Sequence, residues 1–228
     1  MSKSESLVNL DPISRTRKQQ DSPISRLFKT RHYGGKGMAH QDDFGHYLFV
    51  GKQGGGKTTS AIWFMETLIK KYKKRGKKIQ IFSNMGFGIP VNRANLHEVI
   101  YNLRYKEDTI NIIVIDEIQS YFPKDTKDKT TLAMIDQLTG DFSQLRKRQA
   151  YVLSTAQIYG RLNKNLREQC LYMVSCRRSR LSNRCVSDFI LGDDIICDDL
   201  GRWGGIPQRI CVHGLPKTKF DTHALILS

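Results

Sequence analysis

The chain of 228 residues is long enough for one α/β domain with a substantial core and a small appendage, and too short for two full domains. Its 37 lysines and arginines exceed its 22 acidic residues and give a net charge of +15, which favours a polyanionic partner such as nucleic acid or an acidic membrane surface. Its 5 cysteines include no C-x-x-C pair, which argues against a disulfide framework or a zinc site.

The N-terminal residues 1–41 are rich in Ser, Lys, Arg, Gln and Gly and have few apolar positions. This composition predicts a flexible basic arm, which is either solvated or docked on a neighbouring subunit or on phosphates. Residues 42–228 are predicted to form a single domain. The N-terminus has no signal-peptide core, and the longest apolar segment, residues 110–118, is too short for a bilayer. We therefore expect neither a signal peptide nor a transmembrane helix.

A glycine-rich loop at residues 51–58 carries the most specific motif of the sequence. It has the pattern G-x-x-x-x-G-K-[ST], follows an apolar segment that predicts a buried strand, and precedes a helical pattern, which is the context that this motif requires. Glycine lets successive backbone N–H groups turn inward around phosphate oxygens, and the N-terminal end of the helix adds positive potential there. The predicted nucleotide-binding residues are Gly51, Gly54, Gly55, Gly56, Lys57, Thr58 and Thr59, with Lys57 on the β- and γ-phosphates and the Thr58 hydroxyl on Mg²⁺.

The following segments alternate between helix and strand. Residues 58–75 read as a helix that stops at Gly76, residues 79–82 as a second strand followed by Ser83 and Asn84, and residues 95–105 as another helix. The end of the first helix carries a basic cluster over residues 70–78, which either solvates the helix end or contacts a phosphate backbone.

The β-branched segment 110–115 predicts a buried parallel strand, and Asp116 and Glu117 stand at its C-terminal end. Ligands of open α/β sheets bind at this edge, beside the phosphate loop. We therefore predict that Asp116 holds Mg²⁺. Glu117, pointing to the other side of the strand end, is predicted to polarise the attacking water.

A further helix is predicted over residues 129–148, with Arg146, Lys147 and Arg148 at its end, and a strand follows at residues 151–155. Gln157 comes directly after this strand, and its amide is predicted to sense the γ-phosphate by a hydrogen bond. A short helix at 165–169 and a strand at 171–175 come next. The turn-rich segment of about 185–228 predicts antiparallel hairpins at the sheet edge, with a last strand at 224–227.

These motifs, in this order, resemble the HerA–FtsK superfamily of ATPases, which have an additional strand and a catalytic glutamate. The likeness covers about residues 47–178. It rests on the phosphate loop, Ser83 and Asn84, Asp116 and Glu117, the basic triplet 146–148, Gln157 and residues 166–168. Within the superfamily, the chain looks most like the genome-packaging ATPases of viruses with internal membranes and the filamentous-phage assembly ATPases related to zonula occludens toxin.

The resemblance implies a RecA-like α/β fold, with a mostly parallel sheet of strand order 5-1-4-3-2 and helices on both faces. It also implies ATP and Mg²⁺ as ligands and a homo-oligomeric ring, commonly a hexamer, with sites between subunits. In such rings an arginine of the neighbouring subunit stabilises transition-state charge, an effect of about 10³–10⁵ in rate in GTPases. Arg146 is the first candidate for this catalytic arginine and Arg148 the second, while Arg167, Arg177 and Arg178 stay open.

The phage-assembly relatives continue into a membrane-spanning helix, which this sequence lacks. We therefore favour an ATP-hydrolysing translocase that binds double-stranded DNA through its phosphates, located in the host cytoplasm or at a virion vertex, with residues 124–129 and 177–184 as candidate DNA contacts. One alternative is a membrane-associated assembly or secretion ATPase whose anchor is another protein. Another is a nucleotide-switched binding or scaffold protein without processive hydrolysis. A capsid vertex or membrane protein is the expected further partner.

Overall fold

The computed structural model describes residues 43–179, 182–199 and 201–219. Its strands are β1 (Gly45–Val50), β2 (Lys78–Ser83), β3 (Ile89–Pro90), β4 (Thr109–Ile115), β5 (Ala150–Ala156), β6 (Cys170–Arg178), β7 (Cys185–Leu191), β8 (Ile196–Cys197), β9 (Trp203–Gly204) and β10 (Arg209–His213). Its helices are α1 (Lys57–Lys73), α2 (Leu96–Tyr101), α3 (Ile118–Tyr121), α4 (Lys129–Ser143) and α5 (Lys164–Glu168). The arm predicted at 1–41 and the strand predicted at 224–227 lie outside the described residues.

The central sheet has the strand order β10-β7-β6-β1-β5-β4-β2-β3. From β6 to β2 all neighbours are parallel. Numbered within the ATPase core, these strands read 5-1-4-3-2, so the predicted order is confirmed. Beyond β6 the sheet continues with the antiparallel strands β7 and β10, which confirms hairpins at this edge. The strands β8 and β9 form a separate two-stranded sheet.

Both faces of the sheet are apolar and both are covered by helices. Successive side chains of β1 point to opposite faces, so that Phe49 packs with α1 and Leu48 packs with α2, α4 and α5. This two-sided burial explains the continuous apolar sequence of the parallel strands. Within the described ranges, no helix combines the length and the apolarity needed to cross a bilayer.

Two helices are shorter than the sequence pattern predicts. The helix expected to run to residue 105 ends at Tyr101, and the helix expected to run to residue 148 ends at Ser143. Residues 144–149 form turns instead, because Gln144 leaves the helical region with a φ of −100° and a ψ of 1°. Gln149 then adopts a left-handed φ of 48° directly before β5. The basic triplet 146–148 therefore lies in a turn, and its assignment to a helix end was wrong.

Four of the five cysteines are buried. All five are free thiols, and only Cys197 is exposed. Burial raises the pKa of the Cys176 thiol to about 12, so this side chain stays protonated and packs as a small apolar group.

His46 is a fully buried polar residue at the start of β1. Its Nε2 lies 2.6 Å from the Ser154 hydroxyl, and its Nδ1 lies 3.3 Å from the Cys170 sulfur. Because burial disfavours the imidazolium ion, the pKa of His46 is lowered to about 3. His46 is therefore a neutral hydrogen-bonding residue of the core at physiological pH.

His46 should make the protein less stable in mild acid. Below a pH of about 6.5 the unfolded chain takes up a proton at this histidine, while the native protein does not. The free energy of unfolding should therefore fall by about 1.4 kcal/mol for this group between pH 7.5 and pH 5.5. Urea denaturation at the two pH values measures the change. In His46→Gln the pH-dependent part should shrink by this amount, and an unchanged pH dependence would contradict the assignment.

Candidate active site

The glycine-rich loop connects β1 to α1 and is closed by a hydrogen bond from the Gly55 N–H to the Lys52 carbonyl of 2.9 Å. Gly54 and Gly56 adopt left-handed φ angles of 70° and 83°, which side chains with a Cβ rarely take. These angles form the concave backbone turn that surrounds phosphate oxygens. Lys57 is buried, and its Nζ lies 3.4 Å from the Lys52 carbonyl. The lysine is therefore held within the loop.

Thr58 and Asp116 meet directly. The Thr58 hydroxyl donates a hydrogen bond of 2.9 Å to Asp116 Oδ1, although the two residues are far apart in the sequence. Asp116 is 5% exposed, so its carboxylate needs partners, and Oδ1 accepts a second hydrogen bond of 2.6 Å from the Thr155 hydroxyl. The predicted metal-binding residues, Thr58 and Asp116, therefore lie together at the C-terminal edge of the sheet.

Asn84 fixes the backbone at Asp116. Its amide oxygen accepts from the Asp116 N–H at 2.9 Å, and its amide nitrogen donates to the Asp116 carbonyl at 3.1 Å. Asn84 follows β2, and the side chain therefore ties the end of β2 to the end of β4. The sequence resemblance included this residue, but its bracing role is visible only in the structure.

Glu117 follows Asp116 in an unusual backbone conformation. Its φ of 53° and ψ of 45° are left-handed, and it directly precedes α3. Its N–H donates a hydrogen bond of 2.9 Å to the Thr155 hydroxyl, and its carboxylate accepts a hydrogen bond from the Gln119 amide. The Glu117 side chain is half-buried.

Thr155 and Gln119 are the two residues of this site that sequence reasoning missed. The Thr155 hydroxyl accepts from the Glu117 N–H and donates to Asp116, so a single oxygen joins both acids to β5. The available signal was the polar Ser154-Thr155 pair at the end of an apolar strand that neighbours the acid-bearing one. Gln119 could have been noticed only by its place two residues after Glu117.

Gln157 lies one residue beyond β5, and its side chain is exposed. Ala156 is level with Val50 of β1, which places Gln157 beside the start of the phosphate loop in the sheet register. Thr59 lies in the first turn of α1 and is half-buried. The structure therefore brings both residues to the predicted edge, while their contacts with a nucleotide stay predictions.

The candidate catalytic arginines differ in their surroundings. Arg146 is exposed. Arg148 donates to the Ile100 carbonyl and, at 3.1 Å, to the buried Asp141 carboxylate, so it ties α2 to α4. Arg167 stacks on Trp203, with its guanidinium carbon 4.6 Å from the ring centroid. Of these three, Arg146 alone has a guanidinium that makes no hydrogen bond, ion pair or ring contact with another described residue.

The donor set at Thr58 and Asp116 suits a magnesium ion that is shared with phosphate. Mg²⁺ prefers oxygen ligands and usually keeps several waters, so one carboxylate and one hydroxyl are sufficient protein contributions. Over the described ranges there is no group of three His, Cys, Asp or Glu side chains that could hold a metal ion by themselves. Phosphate oxygens and water would supply the further ligands of a magnesium ion at this site.

Several solved structures are similar to this fold at low identity. The N-terminal domain of zonular occludens toxin from Neisseria meningitidis has 17% identity and a TM-score of 0.49, with 76% of this chain and 95% of that chain covered. The genome-packaging NTPase B204 of Sulfolobus turreted icosahedral virus 2, in complex with ATP-gammaS, has 11% identity and a TM-score of 0.43, with 77% and 99% covered. The pCW3 conjugation coupling protein TcpA, with ATPgS, has 13% identity and a TM-score of 0.46, with 75% and 60% covered.

No curated protein matches the chain. The family model described as AAA, ATPase family associated with various cellular activities, matches residues 47–177, more than half of the 228 residues. This range contains the phosphate loop, both strand-end acids and Thr155. The chain therefore belongs to the AAA family of P-loop ATPases.

Proposed function

We propose that this ATPase is a motor that moves double-stranded DNA, of the kind that packages viral genomes. The observation that carries the proposal is the 2.9 Å hydrogen bond between Thr58 and Asp116, because it joins the phosphate loop to the strand-end acids. The choice of DNA is supported by the net charge of +15 and by the sequence resemblance. Phosphate contacts bind DNA without reading its bases, as a packaging motor requires.

The residues of the edge have distinct roles in this proposal. The loop amides and Lys57 bind the β- and γ-phosphates, and Thr58 and Asp116 hold Mg²⁺. When bound there, Mg²⁺ would neutralise negative charge on the phosphates. Glu117 orients the attacking water and accepts its proton, and Gln119 positions the Glu117 carboxylate through their hydrogen bond.

The site is proposed to be completed by a neighbouring subunit in a homo-oligomeric ring, with a hexamer favoured. Arg146 is the arginine proposed to enter the neighbour's site, since it is exposed and makes no ion pair with another described residue. Arg148 is the weaker candidate because its guanidinium is held by Asp141. Gln157, exposed beside the loop, is proposed to sense the γ-phosphate.

The proposed DNA contact is the segment between α3 and α4. Lys124 and Lys127 in this segment and Lys129 at the first position of α4 are all exposed. The Lys124 N–H donates a hydrogen bond of 2.9 Å to the Arg161 carbonyl, which fixes the start of the segment against the 3-10 turn Tyr159–Arg161. The segment therefore presents its lysines from a fixed base near the edge that binds the nucleotide.

The variant Glu117→Gln should bind ATP and fail to hydrolyse it. The amide cannot accept the proton of the attacking water, so kcat should fall by about 10²–10⁴ while the Kd for ATP changes little. Lys57→Ala is the control, because it should lose nucleotide binding itself. Phosphate release and binding of a fluorescent ATP analogue measure the two effects. Undiminished turnover in Glu117→Gln would show that another residue is the general base.

Thr155→Val should reduce kcat by about tenfold or more, because Asp116 loses a hydrogen bond and the buried Glu117 N–H loses its acceptor, at about 1–3 kcal/mol. Thr155→Ser retains the hydroxyl and should recover most of the activity. The dependence of kcat and KM on Mg²⁺ concentration separates this role from a general loss of stability. Equal rates for the valine and serine variants would show that the hydroxyl is unimportant.

Duplex DNA should raise the ATPase rate, and the stimulation should weaken as salt rises, because bound phosphates release counterions. Replacing Lys124, Lys127 and Lys129 by alanine should make the salt dependence shallower, by about one unit of slope for each DNA phosphate that the variant no longer binds. The matched control replaces Lys70, Lys73 and Lys74, which are exposed at the other end of α1.

The outcomes of the DNA experiment test both the assigned DNA contact and the candidate functions. Equal effects of the two triple variants would overturn the assignment of the DNA contact to the segment between α3 and α4. Stimulation by anionic lipid vesicles and not by DNA would favour a membrane-associated assembly ATPase. Nucleotide binding without turnover under any of these conditions would favour a nucleotide-switched scaffold.

A further inference from the structure

The C-terminal end of β6 lies directly beside the phosphate loop. A Cβ added at Gly51 would stand 2.6 Å from the Cys176 carbonyl oxygen, and one added at Gly55 would stand 3.4 Å from the same atom. A Cβ at Gly56 would be 3.8 Å from the Arg178 Cβ. The glycines of the loop therefore allow β6 to approach the phosphate-binding backbone at van der Waals distance.

A cavity of about 900 Å³ lies between these two segments. One wall is the outer part of the phosphate loop, from Gly51 to Gly55, and another is formed by β6 from Ser175 to Arg178. The volume is in the range of small-molecule sites, which is about 300–1,000 Å³. The space beside the loop is thus large enough for a part of a nucleotide.

Arg177 and Arg178 point to opposite faces of β6. Cys176 is buried against the face covered by α1, and Arg178, two residues later, lies on the same face. Arg177 lies on the other face, where its guanidinium pairs with the Asp188 carboxylate at 2.7 Å. No hydrogen bond or ion pair joins the Arg178 guanidinium to another described residue.

Arg178 is exposed and lies in a region of positive potential. It lies close to Gly56, the residue before the N-terminal end of α1, where the helix dipole is positive, and Lys57 begins that helix. A phosphate group bound to the loop would neutralise these charges together. The planar guanidinium is also suited to grip phosphate oxygens with two parallel hydrogen bonds.

We propose that Arg178 binds the phosphates of the nucleotide in its own subunit. This inference rests on the proposed nucleotide site and assigns to it a residue that contacts the phosphates from the end of β6, on the other side of β1 from Asp116. It also removes Arg178 from the arginines that could act on a neighbouring subunit and from the candidate DNA contacts.

Equilibrium binding of an ATP analogue with a fluorophore on the ribose tests this assignment. We expect Arg178→Ala to weaken binding in the presence of Mg²⁺ by about tenfold or more, as for loss of a charge-assisted hydrogen bond. Arg177→Ala removes the same charge from the adjacent residue and should weaken binding less than about threefold. Arg178→Lys should give an intermediate affinity, because lysine keeps the positive charge but lacks the planar guanidinium that can donate two parallel hydrogen bonds. Thermal unfolding of each variant checks that the fold is intact.

The same titration separates failure of this inference from failure of the proposed function. If the unmodified protein does not bind the analogue, the nucleotide site itself is wrong. If it binds and Arg178→Ala binds equally well, Arg178 is not a ligand contact and the proposed function stands. A loss of equal size in Arg177→Ala would show a nonspecific effect of charge and would also overturn the assignment.

A mixing experiment distinguishes action within a subunit from action on a neighbour. Arg178→Ala subunits keep an intact phosphate loop, and Lys57→Ala subunits keep Arg178. If Arg178 acted on a neighbouring site, mixed assemblies would regain ATPase activity. We expect no regain, and recovery of a substantial fraction of the activity would assign Arg178 to the neighbouring site.

Discussion

The hydrogen bonds at Asp116 hold the candidate site together. A carboxylate that is almost fully buried must be given partners, and it receives hydroxyl groups from Thr58 and Thr155 and backbone support from Asn84. These residues belong to the ends of separate strands or to the helix after the phosphate loop. The partners are correctly placed only if β1, β2, β4 and β5 keep their parallel register. The candidate site at the C-terminal edge can therefore form only when the strands have this order in the sheet.

Much of this arrangement could be predicted from the sequence, because the signals are local. The glycine pattern between a strand and a helix identifies the loop, and an apolar strand that ends in Asp116 and Glu117 identifies the second half of the site. Thr155 has only a weak signal, since polar residues such as Ser154 and Thr155 are common at the end of an apolar strand and the partners of Thr155 are remote in the sequence. The early end of α4 was equally hidden, because it depends on Gln144 leaving the helical region, and glutamine is a residue type that favours helices.

The arginines also show that the sequence alone does not define the environment of a side chain. The sequence ranks Arg146 first and Arg148 second and leaves Arg167, Arg177 and Arg178 open, whereas the fold gives each a different environment. Arg148 is paired with a buried carboxylate, and Arg167 is stacked on an indole ring. Such cations are needed for packing, and replacing them would disturb the core before it disturbed catalysis. The environment of a charge, which only the folded chain defines, decides whether it serves stability or ligand binding.

The backbone at Glu117 has a consequence for the evolution and engineering of this protein. A glutamate in the left-handed region carries strain of order 1–3 kcal/mol, which glycine at the same place would relieve. Selection for stability alone would thus favour replacement of this glutamate by glycine. A chain that retains the glutamate has a slightly less stable folded state and keeps a carboxylate at the site of reaction. Libraries screened only for heat resistance should accordingly yield well-folded proteins that no longer turn over their substrate.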